Sequence, residues 1–190
     1  KISRFSQVAE NMMTNSIQSI QLAPEGIVTE IYPEKGNEAG KIDLIHDKDR
    51  GEVSRYARDN GVFTMQGPFE LKQGGRGIAV RNPVYLENDD GEEVFWGFTI
   101  VIIRVPDIFA DTVKALSDFG YDYRLSKNVS RREENYEVIS RSKGKLTDPV
   151  SYVFEMAGDR WKLEVMPRQG WFGSRSLYMV SLGGRKGYSC

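Results

Sequence analysis

The sequence predicts an α+β protein, because its strand-like segments follow one another in runs and do not alternate with helices. Apolar residues recur at helical spacing near the N-terminus and again after Pro106, whereas much of the remaining chain alternates apolar and polar residues. Short turns rich in Gly, Asn and Asp separate the alternating segments, as hairpins require. We therefore expect antiparallel sheets with a small number of helices.

The N-terminal segment, residues 1–18, is expected to form an amphipathic helix. Its helical spacing rests on Ile2, Phe5, Ala9 and Met12. The period then changes, and residues 17–32 predict a strand, a turn at Ala-Pro-Glu-Gly (23–26) and a second strand, since Pro and Gly stand at favoured turn positions.

In the middle of the chain, Asp47 or Asp49 is expected to cap a short helix that runs to Asn60 and stops at Gly61. Extended segments follow at residues 62–65, 68–72, 78–85 and 94–103. The last of these is predicted to be a central strand, because both of its faces are apolar. One face would carry Trp96, Phe98, Ile100 and Ile102, and the other Phe95, Val101 and Ile103.

Pro106 marks the start of another helix, which is expected to end near Gly120. Four further strands are predicted, at residues 121–125, 136–140, 151–156 and 161–166. The tail, residues 170–190, is rich in Gly, Ser and Arg, and we expect it to be loosely held.

The composition excludes several classes of function. The chain has 190 residues, of which 26 are basic and 27 acidic, so its net charge is −1 and no basic field favours nucleic acid. One histidine, His46, and one cysteine, Cys190, leave no set of ligands for a histidine or cysteine metal site. We expect no metal, no cofactor and no nucleic acid partner. The chain starts without Met, in mid-pattern, and we expect it to be a fragment of a longer protein.

Two local motifs could carry chemistry, and both have a simpler interpretation. The Gln-Gly-Gly-Arg-Gly stretch (73–77) leads into a strand and not into a helix N-terminus, so it favours a hairpin turn over a phosphate-binding loop. The carboxylates that begin at Asp47 resemble a calcium loop, but Gly and Glu occupy its fifth and sixth positions and Arg58 its twelfth. A helix cap with solvated charges explains them better.

Asp43 and Arg81 stand within short apolar segments, where a charged side chain needs a partner because burying a lone charge is costly. Each could point to solvent or pair with a neighbour, which residue patterns alone favour, or both could line a ligand pocket. The aromatic residues Phe69, Tyr85, Trp96 and Phe98 are expected to be core or pocket wall, with core the default.

Four stretches in one order resemble the CHASE domain, the extracytoplasmic sensor module of bacterial receptors and of plant cytokinin receptors. They are IQLAPEGIVTEIYPEKGNE (20–38), KIDLIHD (41–47), GVFTMQGPFELKQGGRGIAVRNPVY (61–85) and FWGFTIVIIRV (95–105). The resemblance is closest to bacterial members fused to diguanylate cyclase or histidine kinase modules, and its specific part covers residues 17–105.

The resemblance implies a long N-terminal helix, residues 1–19, packed on two PAS-like antiparallel-sheet subdomains. The membrane-distal subdomain, residues 20–103, would bind the ligand, and the membrane-proximal subdomain would span residues 104–168. Residues 169–190 would lead towards a transmembrane segment. The fragment is then an extracytoplasmic, non-enzymatic domain of a membrane receptor, anchored through flanking helices, and we expect a homodimer.

The resemblance also suggests the binding residues. Asp43 aligns with the segment that contacts the adenine base in plant relatives, and the strands beside it bring in other pocket positions. The predicted ligand-binding set is Asp43, Gln66, Phe69, Leu71, Arg81, Trp96 and Phe98. Plant members have smaller uncharged residues where Gln66 and Arg81 stand, and a guanidinium suits a carboxylate or phosphate. We therefore expect a small polar or anionic ligand, with a cationic or donor group facing Asp43.

Two rival interpretations differ in class. The domain could be a structural or dimerisation module without a ligand, its pocket filled by pairing of Arg81 with Asp43. It could also be a hydrolase that uses Asp43, Asp47 or Glu70, but the sequence offers these carboxylates no nucleophile or metal.

Overall fold

The structure, a computed structural model, describes residues 4–35, 42–129 and 134–172. Within these ranges it contains two antiparallel sheets and a few short helices, so the α+β prediction is confirmed. The helices are α1 (Phe5–Met12), α2 (Gly51–Asn60) and α3 (Ala110–Asp118), and a 3-10 helix (Asp107–Phe109) precedes α3.

Two sets of strands make up the two sheets. The larger sheet is built from β1 (Ile17–Pro24), β2 (Glu30–Tyr32), β3 (Thr64–Glu70), β4 (Arg76–Glu87) and β5 (Glu93–Val105). The smaller sheet is built from β6 (Tyr121–Asn128), β7 (Tyr136–Arg141), β8 (Val150–Met156) and β9 (Asp159–Pro167). The strand order is β2-β1-β5-β4-β3 in the larger sheet and β7-β6-β9-β8 in the smaller sheet.

The N-terminal helix is shorter than the predicted helix over residues 1–18. Residues 1–3 lie outside the described residues, and helix α1 ends at Met12, with Met13 already extended. The prediction was wrong for residues 13–18, because Ile17 pairs with Ile103 and so begins the first sheet. A β-branched residue that can pair and pack on a neighbouring strand gains more there than in a frayed helix end. Phe5 and Ala9 still bury the apolar face of α1.

The glycine-rich stretch forms the β3–β4 hairpin turn, as predicted. Gly74 and Gly75 have φ values of 82° and 80°, and the Leu71 amide donates to the Gly75 carbonyl oxygen at 2.9 Å. Two consecutive residues with positive φ favour glycine at both positions, which explains the pair.

Strand β5 lies at the centre of the larger sheet, between β1 and β4, as its two apolar faces predicted. The predicted assignment of its faces was wrong at Phe95, which packs beside Phe98 with a distance of 5.0 Å between ring centroids. A bulge causes this change: Val84 pairs with Gly97 and Tyr85 pairs with Phe95, which leaves Trp96 without a cross-strand partner on β4. An extra residue in one strand reverses the alternation beyond it.

Gly97 allows β1 and β5 to approach closely at this bulge. Its φ is 154°, and a Cβ atom there would lie 2.3 Å from the Ala23 carbonyl oxygen.

We expect Gly97→Ala to lower the free energy of unfolding by about 3 kcal/mol, from backbone strain together with the clash. Gly61→Ala is the control, since Gly61 also has positive φ but open space around it, and it should cost about 1 kcal/mol. Urea denaturation measures both, and equal losses would contradict the close-approach explanation.

A shared hydrophobic core joins the two sheets. Ile78 and Val105 of the larger sheet pack with Leu125, Ile139 and Trp161 of the smaller one. Trp161 is 1% exposed. A separate core fills the space between the larger sheet and helix α2, where Phe98 and Ile100 pack with Leu44, Ile45 and Ala57. The first core gives the two sheets a common boundary, and the second supports one end of the cavity described next.

Candidate ligand-binding cavity

A cavity of about 460 Å³ lies on the inner face of the larger sheet. The floor of the cavity consists of two rows of residues that are paired across neighbouring strands. One row contains Gln21, Ile100 and Arg81, and the next contains Ser19, Ile102, Ala79 and Gln66. The segment that contains Ile42, Leu44, Asp49 and Arg50 supplies another wall, and the β3–β4 hairpin a third. Its volume falls within the range of small-molecule sites.

Arg81 is the central polar group of this cavity. Its side chain is 2% exposed, and Nη2 donates to Gln66 Oε1 at 2.6 Å. Its Nε and Nη1 atoms have no hydrogen-bond partner among the described residues. Burial, together with a smaller effect of the nearby Arg50 charge, lowers the pKa of Arg81 to about 10, and Asp47 opposes both. The guanidinium is therefore still a cation at neutral pH, with donors left over.

Gln66 holds Arg81 in place and also ties the sheet to the opposite wall. Its Nε2 atom donates to the Asp49 carbonyl oxygen at 2.9 Å, while its Oε1 accepts from Arg81. These two hydrogen bonds fix the orientation of the Gln66 amide, and Gln66 in turn holds the Arg81 guanidinium in its orientation.

Phe69 and Leu71 line the cavity from the β3–β4 hairpin. The turn of this hairpin is attached to the sheet, since Gln73 Oε1 accepts from Gln18 Nε2 and Arg104 Nη1 donates to Gln18 Oε1 at 2.5 Å. Phe69 is 38% exposed. The hairpin thus covers one side of the cavity while its outer surface stays in solvent.

The structure does not place Asp43 among the residues that line the cavity. Its carboxylate accepts the backbone N–H groups of Ile45 and His46, at 3.1 and 3.0 Å, and lies 2.8 Å from His46 Nδ1. The hydrogen bond from the His46 side chain is the main cause that lowers the pKa of Asp43. Asp43 therefore organises its own turn and does not pair with Arg81.

Trp96 and Phe98 also lie apart from the cavity lining. Phe98 is fully buried in the core beside α2, where it contacts the edge of Phe95. This packing favours a role for Phe98 in the hydrophobic core over a role in the wall of the pocket. The structure thus brings together Gln66, Phe69, Leu71 and Arg81 of the predicted set, and leaves out Asp43, Trp96 and Phe98.

Sequence reasoning missed Arg50, which lines the cavity from the start of α2. It also expected Asp47 or Asp49 to cap this helix, but the N-cap residue is Arg50, without a side-chain cap. Asp47 instead accepts the N–H groups of Asp49 and Arg50 in the preceding turn, at 2.9 and 2.8 Å. The only signal for Arg50 was the charged stretch that begins at Asp47, which was interpreted as a helix cap with solvated charges.

Metal chemistry finds no support in the described ranges, where no group of three or more His, Cys, Asp or Glu side chains could hold an ion. None of the helices described is long and apolar enough to cross a membrane.

Comparisons with solved structures find a similar fold in two receptor domains. An extracellular ligand binding receptor from Desulfohalobium retbaense aligns with 87% of this chain at 14% identity and a TM-score of 0.60. The ligand-binding domain of the Pseudomonas aeruginosa amino acid chemoreceptor PctC, in complex with GABA, aligns with 87% of it at 12% identity and a TM-score of 0.50. The alignments cover 33% of the first protein and 81% of the second. At these identities the likeness concerns the fold.

No curated protein sequence matches the chain significantly. The CHASE domain model matches residues 4–136, which is more than two thirds of the 190 residues and includes every described residue of the cavity. This match confirms the resemblance seen in the sequence. The chain belongs to the CHASE domain family and is an extracellular sensor domain.

Proposed function

We propose that this chain is the ligand-sensing domain of a bacterial membrane receptor, and that the cavity at Arg81 binds a small polar or anionic molecule. The observation that carries the proposal is the cationic Arg81 guanidinium in the lining of a cavity. Its Nε and Nη1 atoms have no partner among the described residues and are closed to solvent. Leaving such donors unpaired is costly, so a rotation of the side chain that brings them to an anion in the cavity would be favourable.

The energy available is sufficient for signalling. A hydrogen bond to a charged group contributes about 1.5–3 kcal/mol, and typical allosteric coupling is about 1–3 kcal/mol. A ligand that contacts both Arg81 and the β3–β4 hairpin would favour one position of the hairpin over others, which is the requirement for a shift in population.

A route from the cavity to the smaller sheet exists at the base of that hairpin. Arg76 of β4 donates to the Val138 carbonyl oxygen at 3.0 Å and also pairs with the Glu137 carboxylate. Ile78, two residues further on, belongs to the core that both sheets share. A displacement of β4 would therefore be transmitted to β7 through the ion pair of Arg76 with Glu137 and through the packing of the shared core.

The subdomain assignment rests on the resemblance to the family. In the proposal, residues 20–103 form the membrane-distal ligand-binding part and residues 104–168 the membrane-proximal part. Residues 1–19 and 169–190 lead to transmembrane segments. The receptor would act as a homodimer and pass the signal to a cytoplasmic diguanylate cyclase or histidine kinase.

Thermal denaturation with a panel of organic anions and neutral metabolites tests the proposal. A ligand at about 100 times its Kd adds about 2.7 kcal/mol of stability, so at least one compound should raise the Tm. Arg81→Ala should abolish that rise, while Arg141→Ala, at an exposed position on β7, should preserve it. A rise that survives Arg81→Ala would contradict the proposed site.

A second candidate, a ligand-free dimerisation module, is favoured by one observation. Strand β8 lies at the edge of the smaller sheet and exposes Val150, Tyr152 and Val153. If no compound changes the Tm, and if Tyr152→Glu converts a dimer to a monomer in analytical ultracentrifugation, this candidate replaces the first.

A further inference from the structure

We infer that one end of the smaller sheet rests on the surface of the membrane and binds anionic lipid through exposed aromatic rings and lysines. This end, called the aromatic end below, comprises Phe119, residues 142–150 and residues 168–172. The inference rests on the proposed function, which leads residues 169–190 towards a transmembrane segment, and it adds a lipid partner on a surface apart from the ligand cavity.

The strand directions gather these residues at one end of the smaller sheet. Strands β6 and β8 begin there and strands β7 and β9 end there, because neighbouring strands of this sheet are antiparallel. The Arg168 N–H group donates to the Gly120 carbonyl oxygen at 2.9 Å, which joins the segment after β9 to the end of α3. Trp171 Nε1 donates to the Asp148 carbonyl oxygen at 2.6 Å, which joins the same segment to the β7–β8 loop.

The aromatic end points away from the larger sheet. Arg76 of β4 contacts Glu137 and Val138 near the start of β7, and Trp161 of the shared core lies near the start of β9. Both of these strand starts pair with the last residues of β6, whereas the aromatic end lies beside its first residues. A membrane at the aromatic end would therefore leave the ligand cavity of the larger sheet open to solvent.

Large apolar side chains are exposed at the aromatic end. Phe119 and Phe172 are 81% and 84% exposed, the two highest values for large hydrophobic residues in the described ranges, and Trp171 and Val150 are exposed beside them. Aromatic rings favour the interface between membrane and water, where the ring leaves water while a polar tip such as the Trp N–H keeps a partner. Burial of these rings among lipids would remove apolar surface from water.

The charges at this end favour an anionic lipid surface over a second copy of the chain. The cations are Arg141, Lys143, Lys145 and Arg168, and the carboxylates are Asp122 and Asp148. Two positive charges are therefore in excess among the described residues, and the nearby pair of Lys114 with Asp118 adds none. A symmetric dimer through this end would bring the same cations together, which repel one another, whereas anionic headgroups would neutralise them.

The course of the chain brings this end to the bilayer. The described structure ends at Phe172, within the aromatic end, and residues 173–190 follow in the sequence. In the proposed receptor these residues connect the domain to a transmembrane segment. Such a tether raises the local concentration of the aromatic end at the bilayer, so a contact of modest affinity is sufficient to hold the domain there.

The single cysteine of the chain, Cys190, allows a direct test. Its thiol can be coupled to a maleimide lipid in vesicles of three parts phosphatidylcholine and one part phosphatidylglycerol, with lipids brominated on their acyl chains. Bromine quenches tryptophan fluorescence only at contact range. We expect quenching of part of the emission, and we expect Trp171→Phe to remove it, because Trp96 lies on β5 of the larger sheet and Trp161 is buried.

Matched variants assign the contact to the aromatic end. Phe119→Ser combined with Phe172→Ser should remove most of the quenching, and it should weaken association of the uncoupled chain with the same vesicles at least about tenfold. Phe63→Ser combined with Leu86→Ser is the control, since both residues are exposed at the opposite end of the larger sheet, and it should change neither measurement.

The lysines are tested by the composition of the vesicles. Lys143→Gln and Lys145→Gln should each weaken association of the uncoupled chain with phosphatidylglycerol vesicles by about fivefold, which corresponds to about 1 kcal/mol for one cation near an anionic surface. Neither variant should change the association with pure phosphatidylcholine. Equal losses on both kinds of vesicle would contradict the recognition of anionic lipid.

The outcomes separate this inference from the proposed function. An absence of quenching in the coupled chain, or quenching that persists in Trp171→Phe, would overturn the membrane contact. A dimer in analytical ultracentrifugation that Phe119→Ser with Phe172→Ser dissociates, without quenching by lipid, would assign the aromatic end to a second copy. Neither result affects the Tm measurements with metabolites and Arg81→Ala, which decide separately whether the cavity binds a ligand.

Discussion

Replacing Arg81 with methionine is expected to stabilise the free protein while abolishing ligand-dependent stabilisation. Methionine fills a similar volume without a charge, and the buried guanidinium has only one hydrogen bond in the described part of the chain, to Gln66. A buried ion has a desolvation cost of several kcal/mol, which an apolar side chain avoids. The loss of a donor to Gln66 offsets part of this, so we expect a net gain of about 1–2 kcal/mol in urea denaturation.

Arg124→Met is the matched control for this prediction. Arg124 binds Glu164 through two bonds, Nε to Oε2 at 2.6 Å and Nη2 to Oε1 at 2.8 Å, and the Glu164 side chain is 7% exposed. The hydrogen bond from Arg124 is the main cause that lowers the pKa of Glu164, so the pair stabilises the fold above the usual glutamate pKa and loses this effect as the pH falls through the lowered value. Arg124→Met should therefore destabilise the protein at neutral pH. Destabilisation of similar size by Arg81→Met would show that Arg81 serves the fold and not a ligand.

Lys127→Met is expected to cause the largest loss of stability. Lys127 and Asp159 are both buried, with side chains 2% and 3% exposed and 2.7 Å between Nζ and Oδ2. The lysine also donates to the Asn128 carbonyl oxygen at 2.9 Å. Removing the cation leaves a buried carboxylate without its counter-charge, which costs about 3–5 kcal/mol.

Two controls make this second prediction specific. Lys127→Met combined with Asp159→Leu removes both charges and should regain most of the stability, since an apolar pair of similar volume avoids the desolvation cost. Lys114→Met breaks a pair with Asp118 in which both side chains are more than half exposed, and should change the free energy of unfolding by less than about 1 kcal/mol. A double variant as unstable as Lys127→Met would indicate lost packing in place of an unpaired charge.

The sequence predicted correctly those elements whose conformation depends on residues that are close together in the chain. The pair Gly74–Gly75 identified the hairpin because positive φ is a property of the backbone at those positions. Gly61 ended α2 for the same reason. Strand β5 was recognised as central because a segment apolar on both faces must be covered on both.

Predictions failed where a distant segment competes with the local pattern. The helical period predicted a helix over residues 1–18, but Ile17 pairs with Ile103 in the sheet. The alternation along β5 predicted a regular strand, but the strand has a bulge at Trp96 and Gly97. For Asp43, residue patterns alone favoured exposure or pairing with a neighbour, and the resemblance suggested a pocket residue; its carboxylate accepts nearby N–H groups and pairs with His46. No pattern of spacing reports whether a bulge or a turn of this kind is present.

By itself, the sequence determined the α+β class, the hairpin at Gly74–Gly75, the CHASE family and four of the residues that surround the cavity. Only the tertiary structure decided that Arg81 is buried with free donors, that Gln66 aims it and that Arg50 faces it from a different segment. The reason is physical: backbone preference and period depend on neighbours in the chain. The partners of a buried charge, in contrast, depend on which strands pair and in which register.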